Sequence, residues 1–299
     1  MSRHDEDFPV VPRRDRVHVL REFILETFDV DELSKGYLLD VAGGKGDFSF
    51  LSCNALTGNG VTLRSVVVDP RYTDHSKIAS TAYWYATHPE ERLEHAAQGH
   101  QLLPKLNLQP PFQAPFHLRM FFDDRLLEAL RPHNQPKWSM FWQESCQRVE
   151  ILDSTFKEHH KKKAPTANNE GGMVVEAHII DSADQAWEIF QSTSLVIGFH
   201  PDEASDACVD FALERKLPFV VSPCCVFPSF FPHRRIFQSD GEPKSVSSYD
   251  DYIQYLRQKH AKMRMGRLKF ASAAKGHGAG LTRNTVLYML PCDYHSDDD

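Results

Sequence analysis

The sequence predicts an α/β fold, a doubly wound, seven-stranded mixed sheet with helices on both faces, and three observations carry that prediction. A short apolar strand runs into a glycine-rich turn at residues 40–46, the turn opens a helix that leads to a second apolar strand, and strand-helix alternation resumes near residue 173. Strand, glycine turn, helix and strand make a βαβ unit, the opening of a Rossmann-like sheet.

The leading helix is read from Val17, Leu20, Ile24 and Phe28, which recur at steps of three and four from Arg16 onward. Tyr37-Leu38-Leu39-Asp40-Val41 is the first strand, and the helix after the turn can bury Phe48, Leu51 and Ala55. Ser65-Val66-Val67-Val68 is the second strand and ends in Asp69-Pro70-Arg71. Residues 72–172 break the alternation with proline-rich pieces and a polar run at 161–172, and read as a partly irregular insertion. That stretch holds twelve Lys or Arg against twelve Asp or Glu, so the net charge of −7 resides elsewhere.

Residues 173–180 read as the third strand, ending at Asp181, with a helix through Ala183, Trp187 and Phe190 behind it. Residues 195–199 are the fourth strand and lead into His200-Pro201-Asp202, where Asp202 is placed to cap a helix burying Ala204, Cys208, Phe211 and Ala212. A fifth strand at 218–221 ends in Ser222-Pro223-Cys224-Cys225. Tyr252, Ile253 and Leu256 mark another helix, and 267–270 and 285–290 are two final strands joined through a glycine-rich hairpin loop at 274–280. The organisation is thus a first half-core at 1–71, the insertion at 72–172, a second half-core at 173–292 and an acidic tail at 293–299.

With 299 residues, 41% hydrophobic and 25% charged, the chain is ordinary globular material and can bury a large core. The acidic balance argues against gripping nucleic acid by bulk electrostatics but leaves room for a local basic face. The first residues lack the apolar stretch of a secretory signal and no run approaches a membrane span, so the expectation is an intracellular protein, cytoplasmic or nuclear, with no membrane partner. Cys53, Cys146, Cys208, Cys224, Cys225 and Cys292 are expected as reduced thiols.

A helix that starts after a glycine turn presents unpaired N–H groups, and glycines let a ligand approach the backbone. The turn Asp40-Val41-Ala42-Gly43-Gly44-Lys45-Gly46 lacks the G-x-G-x-x-G spacing of a dinucleotide fingerprint and carries an acid within the strand instead. That favours S-adenosylmethionine. Asp40 is expected to accept from its ammonium group, Asp69 to hold the ribose hydroxyls, and Ala42, Gly43, Gly44, Gly46 and Asp181 to complete the cofactor set; a tight turn without ligand is the alternative. His200 is the candidate general base, against a loop-ordering role, and Asp202 a candidate catalytic acid or base, against a plain helix cap. Cys224 and Cys225 are either a thiolate nucleophile or small packing residues. No metal site is expected, because Cys208 and His233 form no recognised ligand spacing with them. Arg234 and Arg235 could meet phosphate or sit in a solvated loop, and Lys45 could be a surface residue only.

Residues 38–47 and 66–71, the Arg16-Val17-His18 helix, Gly198-Phe199-His200-Pro201-Asp202 and Pro223-Cys224-Cys225 resemble a family of eukaryotic class I S-adenosylmethionine-dependent methyltransferases. More distantly, the G-x-H after the fourth strand and the paired cysteines after the fifth are similar to tRNA ribose 2′-O-methyltransferases with a Cys-Cys motif. This resemblance implies a Rossmann-like methyltransferase sheet and raises RNA as the substrate class. The sequence departs from that group in reading His200-Pro201-Asp202-Glu203 where H-x-C-G is usual. The expectation is methyl transfer to oxygen or nitrogen, with RNA favoured. A non-catalytic binding module of the same fold, a small-molecule or protein methyltransferase, and a nicotinamide-dependent oxidoreductase remain as alternatives, and oligomeric state is open.

Overall fold

The computed structural model describes residues 11–92, 94, 101–160, 175–237, 241–270 and 283–295. The expected polar run at 161–172, the hairpin loop at 274–280 and the end of the acidic tail lie outside the described residues.

Ten strands are described: β1 (Tyr37–Val41), β2 (Ser65–Val68), β3 (Phe116–Leu118), β4 (His178–Ile179), β5 (Thr193–Phe199), β6 (Phe219–Ser222), β7 (Arg235–Phe237), β8 (Pro243–Ser245), β9 (Arg264–Arg267) and β10 (Thr285–Met289). Eight of them form one sheet in the order β4-β3-β2-β1-β5-β6-β10-β9, and β7 with β8 forms a small hairpin. From β4 to β6 the neighbours are parallel; β10 runs antiparallel to both β6 and β9. The sheet therefore has eight strands, one more than the sequence predicts, and the extra one is β3.

β3 arises inside the stretch expected to be an insertion. Phe116-His117-Leu118 is too short to give a periodicity, yet it pairs in register with Val66-Val67-Val68 of β2. Of the third predicted strand, the described residues 175–180 contribute the two-residue edge strand β4, whose side chains are exposed. The same stretch supplies α4 (Ser76–Thr87), α5 (Asp124–Ala129) and α6 (Trp138–His160), so its chain is woven into the sheet and its packing.

The remaining helices are α1 (Arg16–Thr27), α2 (Val30–Ser34), α3 (Asp47–Asn54), α7 (Ala183–Gln191), α8 (Ser205–Glu214) and α9 (Tyr249–Gln258). Strand alternation sorts the core into two faces. Leu39, Val41, Val66, Val68, Val196 and Val221 pack with α7, α8 and α9, including Phe190, Phe211 and Tyr252. Leu38, Leu195, Ile197 and Val220 pack on the other face with Leu20 and Ile24 of α1 and Phe48 of α3. Each such side chain taken fully from water contributes about 1.5–3 kcal/mol before the ordering entropy is subtracted.

The last predicted strand pair is displaced at one member. β9 ends at Arg267, whereas Leu268 and Phe270 leave the sheet edge to bury against the α1 face. Their apolarity marks burial rather than strand. Among the described residues no helix is long and apolar enough to cross a membrane. All six cysteines are free of disulfides.

Candidate functional site

β1 and β5 lie side by side, but the chain leaves β1 toward β2 and leaves β5 toward β6, on opposite sides. Loops that diverge in this way open a crevice at the carboxyl ends of the strands, the usual ligand position in open α/β sheets. Ala42 of the glycine turn stands on one side and residues 201–204 on the other. A cleft of about 640 Å³ opens there, lined among others by Ala42, Asp69, Arg71, Phe121, Asp202 and Ala207. That volume falls within the ~300–1,000 Å³ of small-molecule sites.

Asp69 is the best-organised group in the cleft. Its carboxylate is almost fully buried and accepts from the N–H of Gly44 at 3.0 Å, the N–H of Arg71 at 2.9 Å, and Arg71 Nε and Nη2 at 3.0 and 2.9 Å. These contacts fill the roughly four acceptor positions of a carboxylate. The Arg71 side chain is itself 56% exposed, so it can swing into solvent and release two of them. Behind Asp69, His117 is buried, and its Nε2–H must donate to the Asp69 carbonyl at 2.9 Å because a carbonyl only accepts. Burial lowers the His117 pKa, and the neutral Nδ1 then accepts from Thr73 Oγ1 at 3.1 Å.

Asp40, in contrast, is turned away from this cleft by strand alternation. It shares the face of Leu38, and Ser49 of α3 donates to its Oδ2 at 2.9 Å while Ser65 donates to Ser49 at 2.9 Å. Burial pushes its carboxyl up to about 7, partly countered by the Ser49 hydrogen bonds. Asp40 thus anchors the start of α3 beneath the turn. In the turn itself Ala42 and Gly44 have φ of 52° and 60°, and Gly46 67°. A Cβ on Gly44 would meet nothing within 4 Å, whereas one on Gly46 would stand 2.5 Å from His75 Cε1. Lys45 is exposed.

On the opposite rim His200 and Asp202 also hold positive φ, 55° and 47°. Each costs on the order of 1–2 kcal/mol for a residue with a Cβ, and such strain gathers at ligand sites. His200 does not line the cleft. Its ring packs edge-on against Phe199, with centroids 4.6 Å apart, and its buried Nε2 has no hydrogen-bond partner among the described residues. Burial, then the positive charges of Arg16, Arg13 and Arg283, lower its pKa to about 4. It is a neutral imidazole at pH 7.

Asp202 does line the cleft, but not as the expected helix cap: it is the first residue of a 3-10 turn before α8 and no side chain caps either element. Its Oδ1 accepts from Cys224 Sγ at 3.0 Å. Burial and the Asp202 carboxylate both raise the Cys224 thiol pKa, the reverse of what a thiolate nucleophile needs. Asp181 is exposed beyond edge strand β4 and is not brought to the cleft, because β3 lies between β4 and β2. Arg234 is buried rather than solvated: its Nε donates to Asp206 Oδ2 at 2.7 Å and its guanidinium lies 3.7 Å over Phe231. Arg235 is exposed and donates to backbone carbonyls.

Sequence reasoning misses the cleft wall that follows β3. Phe121 and Asp123 line it, Arg148 of α6 lies 4.4 Å over Phe121 and donates to Asp123 Oδ2 at 2.7 Å, and Asp123 also caps α5. The signal was present in Asp123 standing before Leu126, Leu127 and Leu130, a capped apolar helix directly after a short strand. Comparison of the chain with protein-family models, curated proteins and solved structures gives no match. What the fold and site define is a Rossmann-like α/β protein with a cleft of small-molecule size at its topological switch point.

Proposed function

We propose that the chain is an S-adenosylmethionine-dependent methyltransferase acting on an oxygen or nitrogen nucleophile. The observation that carries this reading is Asp69, a buried carboxylate at the end of β2 that lines the cleft and is held by the N–H of Gly44 in the glycine turn. A carboxylate there suits paired ribose hydroxyls, and Gly44 leaves open space where a side chain would stand. The fit is through Asp69 and Ala42, which line the cleft, and Gly44, bonded to Asp69, with Phe121 offering an apolar wall to a base; Asp40 supports the turn rather than the ligand. Bound S-adenosylmethionine supplies an already activated methyl group. The chain's own task is then to align the acceptor, exclude water and take up a proton when one must leave. Of the two groups proposed for that step, Asp202 lines the cleft, whereas His200, neutral with a buried Nε2, lies outside its lining.

For the acceptor, RNA is the favoured class. Support comes from the distant likeness of Gly198-Phe199-His200 and Cys224-Cys225 to the Cys-Cys-motif tRNA ribose methyltransferases. Calorimetry with S-adenosylmethionine and with NAD tests the cofactor: binding of NAD alone defeats the reading, and Asp69→Asn should weaken S-adenosylmethionine by about 1.5–3 kcal/mol, roughly ten- to a hundredfold. Incubation with labelled cofactor and separate RNA, protein and metabolite pools tests turnover. Label in no pool, with cofactor still bound, would favour a non-catalytic binding module.

A further inference from the structure

The loops that leave β5 and β6 run side by side and bring together three side chains of metal-ligand type. Cys224 Sγ stands 3.0 Å from Asp202 Oδ1 and 3.5 Å from Cys225 Sγ, and the three ligand atoms lie within 4.8 Å of one another. A tetrahedral ion with Zn–S of about 2.3 Å and Zn–O of about 2.1 Å sets its ligand atoms about 3.8 Å apart for S···S and about 3.6 Å for S···O. The S···S spacing then needs to open by about 0.3 Å and the S···O spacing by about 0.6 Å. The neighbouring residues add a reason for the geometry. Asp202 holds φ 47° and uses its carboxylate for no helix cap, so the strained backbone delivers that group to the thiols instead.

We propose that Asp202, Cys224 and Cys225 form a binding site for a zinc-class divalent cation. Two thiolates suit a borderline-soft ion and argue against magnesium or calcium, which take oxygen ligands. Cys224 is buried while Asp202 is exposed and lines the cleft, so the thiol side is closed and the carboxylate side faces the cavity. Three protein ligands leave a fourth position for water or a substrate oxygen or nitrogen, the pattern of catalytic rather than structural zinc. Binding forms two metal–sulfur bonds and one metal–oxygen bond, releases the two thiol protons to solvent, and changes no oxidation state. The site does not depend on the methyl-transfer reading.

The test uses the full chain, reduced and stripped with a chelator, then titrated with Co²⁺ as spectroscopic probe and with Zn²⁺ as competitor. The expected result is one ion per chain, sulfur-to-cobalt charge-transfer absorption that zinc abolishes, and release of two protons per ion. Cys224→Ser and Cys225→Ser should each weaken binding roughly a hundredfold and diminish the absorption, and Asp202→Asn should weaken binding while keeping it. Cys53→Ser and Cys146→Ser should change neither. In the unaltered chain zinc should protect Cys225 from alkylation while exposed Cys292 still reacts, a measurement that needs no variant to fold. Absence of charge-transfer absorption from the reduced wild-type chain would overturn the site, as would absorption that survives in the Cys224→Ser/Cys225→Ser double variant. So would a Cys224–Cys225 disulfide that persists under reductant.

Discussion

At the scale of single residues, the two acidic groups around the glycine turn do different work because Asp40 lies within β1, with its side chain on Ser49 of α3, whereas Asp69 stands just beyond the end of β2, on the cleft. Asp69 opens on the cleft, with Arg71 occupying part of its acceptor capacity. A ligand that uses both oxygens must displace that guanidinium, and a half-exposed ion pair is worth on the order of 0.5 kcal/mol. Arg71→Ala should therefore tighten S-adenosylmethionine about twofold in calorimetry; a large loss of affinity would mean that Arg71 itself grips the ligand. Asp40 has the opposite setting. Burial raises its carboxyl from 3.8 to about 7, so the folded chain holds its proton more firmly than the unfolded chain between those values. Stability from this group is present below pH 3.8 and is lost as pH rises through 7. Asp40→Asn should gain stability relative to wild type across that window, by a few kcal/mol in denaturant titrations, and an unchanging difference would contradict the buried carboxylate.

At the scale of elements, the glycine turn contains positions that look alike in sequence and differ in the folded chain. Gly44 and Gly46 have nearly the same φ, 60° and 67°, so alanine at either carries a left-handed backbone cost of about 1–2 kcal/mol. Only at Gly46 would the new Cβ also strike His75 and Val67, at 2.5 and 2.9 Å. Overpacking adds about 1–3 kcal/mol there. Gly46→Ala should thus destabilise by about 3 kcal/mol in chemical unfolding and Gly44→Ala by about 1 kcal/mol. Equal effects would show that the contact between the turn and His75 relaxes freely. β3 illustrates the converse case. Three residues carry too little pattern to identify a strand, and it is the ladder with β2 that makes Phe116–Leu118 one.

At the scale of the whole molecule, His75 couples the turn to acid stability. It is fully buried, stacks on Phe50, and burial with the neighbouring His117 lowers its pKa from 6.5 to about 4. Between those values the unfolded chain takes up a proton that the folded chain refuses, so stability falls as pH drops from 6.5 toward 4. The slope from one such group is about 1.4 kcal/mol per pH unit. His75→Phe should remove that much of the slope in urea unfolding followed across this range, and an unchanged slope would locate the acid sensitivity elsewhere.

The sequence by itself determined the βαβ opening, the positions of β1, β2, β5, β6 and β10, and Asp69 as the acid facing the glycine turn. These are legible because apolar runs, glycine turns and strand-end acids are local patterns. Tertiary structure alone decided that β3 lies beside β2, that Asp181 stands outside the cleft, that Asp40 faces α3, and that Arg234 is buried on Asp206. It also decided that Asp202 meets Cys224 and Cys225, which lie on a different loop 22 and 23 residues later. The physical reason is common to all of them: sheet order and strand facing are set by pairing between distant segments, and no local pattern encodes which loops a switch point will bring together.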